Sequence, residues 1–198
     1  MITTIIFDLS EVLLTGFWGI QLKLASLLHL DVETVTRALY GKEFDDLLHG
    51  KISERAFWQN IRERNSWDVP LRELEALARA GFTEIEGTRN IILQLQGRYT
   101  LGLLSNHAKE WIDYCEGTFA YQKMFTASLY SFEVGIGKPE KRIYDLILNK
   151  MGEKPENCLF IDDMSKNVIA AQKLGFTTIQ FTTSAVLHSE LRKLQVIC

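Results

Sequence analysis

Ile5-Ile6-Phe7-Asp8 is the stretch on which the fold turns. Three apolar residues, two of them β-branched, run straight into a carboxylate. A short continuous apolar run of this kind suits a strand buried on both faces, with Asp8 at its carboxyl end. Leu159-Phe160-Ile161 repeats the pattern and ends at Asp162-Asp163. Between them, Tyr99 to Leu104 reads as a strand that stops at Ser105-Asn106. A further strand near Phe125 to Leu129 precedes the loop Gly135-Ile136-Gly137-Lys138-Pro139. A last strand covers Thr177 to Phe181. Helical patterns separate these runs: Thr88 to Leu95, one after Asn106, and one that Pro139 is placed to start and that runs to Met151. Two more cover Lys166 to Leu174, stopped by Gly175, and Ala185 to Leu194. Strands alternating with helices imply an α/β fold, a Rossmann-like parallel sheet with helices on both faces.

Residues 17–81 break the alternation. Helical patterns follow one another there without a strand: Phe17 to Leu30, Asp31 to Tyr40, Ser53 to Arg64 and Leu71 to Arg79. Asp31 and Ser53 stand where N-caps belong, and Gly41, Gly50 and Gly81 where helices stop. The reading is an α-helical cap, 17–81, inserted into a core made of 1–16 and 82–198. The cap stretch carries many aromatics, among them Phe17, Trp18, Tyr40, Phe44, Phe57, Trp58 and Trp67.

The bulk numbers fit such a chain. It has 198 residues, 46% hydrophobic and 24% charged, enough for a full core without staples. A formal charge of -3 with no basic run gives no footprint for nucleic acid. No stretch approaches a membrane span. Cys115, Cys158 and Cys198 are odd in number and lack metal-ligand spacing, which suggests free thiols in a reducing, cytoplasmic setting with Cys158 buried.

In an open parallel sheet, ligands bind beyond the carboxyl ends of the strands. Folding would gather Asp8, Ser105, the Lys138 loop and Asp162-Asp163 at that one edge. Each alone has an ordinary explanation: a cap, a turn, a surface charge. Together they are a parts list for phosphoryl transfer to a carboxylate. A nucleophilic carboxylate and a phosphate repel, so cations must neutralise the charge. Carboxylates holding a magnesium ion supply part of that, and an ammonium supplies more. A hydroxyl and backbone N–H groups hold the remaining oxygens.

The sequence resembles the haloacid dehalogenase (HAD) superfamily over essentially its whole length. The resemblance rests on Phe7-Asp8-Leu9-Ser10-Glu11-Val12-Leu13-Leu14, on Leu103-Leu104-Ser105-Asn106, and on Gly137-Lys138-Pro139 with Ile143-Tyr144. Phe160-Ile161-Asp162-Asp163 through Asn167, Ala170-Ala171 and Gly175 completes it. Gly50-Lys51-Ile52-Ser53 followed by Phe57-Trp58 also looks family-like. Within the superfamily the chain is similar to bacterial sugar-1-phosphate phosphatases with a small α-helical cap.

The resemblance implies a hydrolase acting on a small-molecule phosphate ester, with Asp8 as nucleophile and metal ligand. Lys138 would share in catalysis and bind the phosphate. Ser105 would also bind phosphate, with Asn106 beside it. Ser10 would offer its carbonyl to the metal, Asp163 would ligate it directly, and Asp162 would sit adjacent or ligate through water. Phe17 and Trp18, just after the first motif, are the candidates for substrate contact. His107, next to Asn106, is a further candidate for facing the site.

One position departs from the pattern. Many phosphatases of the family carry a second aspartate, an acid–base group, where this chain has Ser10. A serine hydroxyl cannot serve as that acid near pH 7, and Glu11 is the nearest carboxylate. The departure leaves three readings: a phosphatase for substrates with good leaving groups, a metal-independent dehalogenase-like hydrolase, and a non-catalytic binding protein. The acidic pair Asp162-Asp163 favours the first. Substrate identity and oligomeric state are not readable from the sequence.

Overall fold

The computed structural model describes residues 1–197. Five strands form one parallel sheet: β1 (Thr4–Phe7), β2 (Thr100–Ser105), β3 (Ala127–Tyr130), β4 (Cys158–Asp162) and β5 (Thr177–Gln180), in the order β3-β2-β1-β4-β5. The register sets Phe7 opposite both Leu103 and Ile161, so the ends of β1, β2 and β4 lie level. From β1 the chain moves outward through β2 to β3 and then crosses back to β4. The order therefore reverses beside β1, which is where open α/β sheets open a crevice.

The continuous apolar runs follow from burial on both faces. Ile5 and Phe7 project to one side with Leu103 and Ile161. There they meet Ile91 and Ile92 of α6 (Thr88–Leu95), Trp111 and Ile112 of α7 (Lys109–Phe119), and Leu187 of α11 (Ser184–Lys193). Ile6, Leu104 and Phe160 project to the other side, against Ile143 and Ile147 of α9 (Lys141–Met151) and Ala171 of α10 (Ser165–Lys173). A short α8 (Ser131–Val134) follows β3.

Between β1 and α6 lie five helices and no strand: α1 (Ile20–Leu28), α2 (Val32–Leu39), α3 (Lys42–Leu48), α4 (Glu54–Asn65) and α5 (Leu71–Arg79). Asp31 caps α2 by accepting from the Thr34 N–H, and Ser53 caps α4 by accepting from the Ala56 N–H. Three contacts tie the block to the sheet. The Ser131 hydroxyl donates to the Leu48 carbonyl at 2.5 Å. Glu54, buried, accepts from the Trp111 indole at 2.8 Å and pairs with Arg79 at 2.6 Å. Gly50 takes φ +69°, and a Cβ there would stand 2.6 Å from the Phe132 carbonyl oxygen.

Two expectations need correction. Gly41 and Gly50 do follow helices, but between them lies α3, a seven-residue helix that the sequence reading passed over. Pro139 does not start α9, whose first residue is Lys141; the Lys138–Pro139 bond is cis and Glu140 stands at the N-cap position. Cys115 and Cys158 are buried free thiols whose pKa burial pushes up to about 12, so both stay protonated. Cys198 lies outside the described residues. No helix among the described residues is long and apolar enough to cross a membrane.

Candidate active site

The level strand ends deliver three carboxylates and one ammonium to a single cluster. Lys138 Nζ lies 2.9 Å from Asp8 and 2.7 Å from Asp162, with all three side chains almost wholly buried. Asp8, Asp162 and Asp163 each offer an oxygen within 4.8 Å of the others. The Lys138 loop is fixed by Asn106, whose amide accepts from the Lys138 N–H and donates to the Lys138 carbonyl, both at 2.8 Å. The residue just past the end of β2 thus sets the height of the ammonium above β1.

The two adjacent acids differ in what they touch. Asp162 is fully buried and accepts from Lys138, from the Met164 N–H at 2.8 Å and from the Asn167 amide on both oxygens. Its acceptor capacity is filled by protein donors, so although its oxygens lie within reach of a shared ion, it serves the cluster chiefly by holding Lys138 and the start of α10. Asp163 is half-buried and its carboxylate has no such set of donors. Asp8 takes the Leu9 N–H at 2.7 Å on one oxygen and Lys138 on the other.

Charge balance explains the ionisation behaviour. Three carboxylates face one ammonium. Burial pushes the Asp8 carboxyl up to about 7; Lys138 opposes this and the Asp162 charge adds to it. Burial and then Asp162 push Asp163 up to about 6. Burial pulls Lys138 down, but Asp162 and Asp8 outweigh it, so its pKa lies above the usual lysine value and it stays charged. A divalent cation would correct the surplus of negative charge, and an all-oxygen donor set suits magnesium. Two further groups fit. The Ser10 carbonyl receives no hydrogen bond from the described residues. The Ser105 hydroxyl is buried without a partner, an arrangement that calls for a missing group to satisfy it.

A cavity of about 440 Å³ opens onto this cluster. Asp8, Ser10, Asn106, Lys138 and Asp163 form its floor, and Phe17 and Trp18 lie on its wall. Ser105 and Asp162 do not reach that surface; both are fully buried just behind it. Phe17 is stacked between Phe44 (5.2 Å) and Trp111 (4.6 Å), whereas Trp18 is 56% exposed and stacks on Tyr40 at 5.0 Å. Trp58 and Trp67 are buried in the helical block. Glu11 reaches the cavity, but Oε1 is held by the Gly16 N–H at 2.7 Å and its backbone sits at φ 57°.

Sequence reasoning did not assign Tyr40, Phe44, Asp45, His49 or Trp111 to the cavity, yet all five line it. The signal for Phe44, Asp45 and His49 was the overlooked helix between two glycines; Trp111 carried none.

The family follows from a comparison with known proteins. A model of the haloacid dehalogenase-like hydrolases matches residues 2–175. The chain belongs to this family and is a HAD-like hydrolase. It is 27% identical over 157 residues to D-ribitol-5-phosphate phosphatase of Bacteroides thetaiotaomicron, covering 75% of each chain. Its fold matches HAD family enzyme bt-2542 of the same organism, solved in complex with magnesium and inorganic phosphate. That match has a TM-score of 0.81, 22% identity, and covers 92% of this chain and 96% of that one. A protein from Porphyromonas gingivalis described as a predicted HAD-like family hydrolase matches with TM-score 0.81 and 25% identity over 98% of both chains.

Proposed function

We propose that this HAD-like hydrolase is a magnesium-dependent phosphatase for a small phosphomonoester, a sugar or polyol phosphate being the favoured class. The observation that carries the reading is the cluster of Asp8, Asp163 and Asp162-anchored Lys138 at the floor of one cavity. The ribitol-phosphate phosphatase name and the magnesium and phosphate of the structural relative support it from outside.

Asp8 attacks phosphorus, the ester oxygen leaves, and water then cleaves the aspartyl-phosphate. Lys138 offsets charge on the transferring group, and the unpaired Ser105 hydroxyl, just behind the floor, would donate to a phosphate oxygen once the floor shifts to admit one. Asp8, Asp163 and the Ser10 carbonyl would hold magnesium, which supplies neutralisation of the phosphate and of the buried carboxylates. Asn106 positions Lys138, and Asp162 with Asn167 keeps it there. Ser10 supplies no acid for the leaving group, which favours substrates whose leaving oxygen needs little protonation. Residues 17–81 act as the cap that closes the cavity, over a core of 1–16 and 82–198.

Phosphate release across sugar, polyol, nucleotide and acyl phosphates, with magnesium and with chelator, tests the reading. Magnesium-dependent release from at least one class is expected. Halide release from a haloacid in chelator would instead favour the dehalogenase reading, and a well-folded protein active on nothing would favour a binding role.

A further inference from the structure

One polar group on the cavity wall has no role in the chemistry above. His107 is 3% exposed, lines the cavity, and follows Asn106 directly. Its ring lies between Phe82 and Trp111, with centroids 5.6 and 5.8 Å away. Its backbone N–H donates to Ser131 Oγ at 3.0 Å, and that same hydroxyl donates to Leu48 of the helical block. The residue is therefore held from the sheet side and the cap side at once.

The shorter of its two Nδ1 contacts favours one tautomer. Nδ1 accepts from the Ala108 N–H at 3.1 Å. The 3.4 Å contact from Nδ1 to the Ala108 carbonyl would need the opposite tautomer and is the longer of the two. With Nδ1 accepting, the proton of a neutral imidazole sits on Nε2. Nε2 has no hydrogen-bond partner among the described residues, and His107 is one of the residues that line the cavity. Burial also pushes the imidazole pKa down to about 4, which keeps the ring neutral near pH 7. It is a donor of a hydrogen bond and not of a proton.

We propose that His107 is a specificity-determining residue whose Nε2–H donates to a hydroxyl or carbonyl oxygen of the esterified group, selecting polyol and sugar phosphates over alkyl phosphates. This rests on the phosphatase reading. A buried donor left without an acceptor penalises an analogue that lacks the oxygen, which is how a site rejects a missing hydroxyl more firmly than an added one. A local role for the imidazole accounts for Nδ1 alone and leaves Nε2 unexplained.

The test compares a five-carbon polyol phosphate with n-pentyl phosphate, using phenyl phosphate as the activity control, on wild type, His107→Phe and His107→Gln. Wild type should favour the polyol ester. His107→Phe keeps a flat ring against Phe82 and Trp111. It should lose about tenfold in kcat/KM on the polyol ester, the worth of one neutral hydrogen bond, while pentyl and phenyl phosphate change by less than about threefold. His107→Gln, which restores a donor, should recover part of the loss. An equal fall on all three esters, or no fall on any, overturns the proposal. If wild type turns over none of them, the phosphatase reading fails first. Nitrogen-15 NMR of the histidines gives a readout independent of turnover. The His107 Nε2–H signal should move when the polyol phosphate is added in magnesium buffer and stay still with pentyl phosphate. A signal showing the proton on Nδ1 would also overturn the assignment.

Discussion

Replacing Lys138 by methionine exposes the electrostatic design most sharply. Lys138 is 4% exposed, and its ammonium is the cation that contacts both Asp8 and Asp162, themselves 6% and 0% exposed. Methionine keeps the length and apolar stem but removes the charge. Removing one partner of a buried ion pair costs about 3–5 kcal/mol, because the other charge is stranded. In a chain of this length each kcal/mol shifts Tm by roughly 2–4 °C, so the expected fall is about 6–20 °C at pH 8. The loss should depend on pH. Burial already raises Asp8 to about 7, and without Lys138 no cation opposes that rise, which leaves only the Leu9 N–H on the charged form. A carboxyl whose folded pKa exceeds its unfolded value makes the native state bind more protons. Stability then falls as pH climbs from the unfolded value through the folded one. The gap between Lys138→Met and wild type should therefore be small at pH 5 and large at pH 8. Thermal unfolding by circular dichroism in metal-free buffer at both pH values measures it. A variant as stable as wild type at pH 8, or a gap that widens at low pH, would refute the electrostatic account.

Magnesium should raise the Tm of wild type, and by more at pH 8 than at pH 5.5, because at the lower pH the cation must displace protons from Asp8 and Asp163. Differential scanning calorimetry with and without millimolar magnesium reads this directly. Asp8→Asn should lose on the order of 10⁴-fold or more in kcat yet unfold at a higher temperature than wild type at pH 8 without metal, since it mimics the protonated carboxyl that the site favours. Gly50→Ala should destabilise by roughly 1–3 kcal/mol: the backbone is left-handed there, and the new methyl would meet the Phe132 carbonyl at 2.6 Å. A thermal melt unchanged from wild type would show that this contact relaxes freely.

The sheet was legible because its strands are short apolar runs with an acid or hydroxyl at their ends. Ile5-Ile6-Phe7 and Leu159-Phe160-Ile161 have no helical reading at that length, and parallel pairing forces their ends level. Asp8 and Asp163 could be placed at one edge for the same reason, since strand termini fix position without knowledge of packing, whereas Lys138 lies in a loop beyond α8 that Asn106 fixes. The division of labour between Asp162 and Asp163 was less visible. Adjacent residues point opposite ways, but only the packed structure shows that Lys138, Met164 and Asn167 fill one of them. The cavity wall was least legible. α3 has seven residues with only Phe44, Leu47 and Leu48 apolar, too short for a clear period. Yet it sets Phe44 and Asp45 on the wall and its C-cap His49 beside them. Trp111 reads as one more core residue of α7, and it is both core and wall. Phe17 shows the same double use, packed between two aromatic rings while lining the cavity.

The central claim is that a phosphoryl group passes through Asp8. Acid-quenching the protein during turnover of a polyol phosphate in magnesium, followed by peptide mass spectrometry, tests it most directly. The account predicts a phosphoryl group on the peptide carrying Asp8, absent with chelator and absent in Asp8→Asn. Sustained phosphate release by Asp8→Asn, or a modified residue elsewhere, would contradict it.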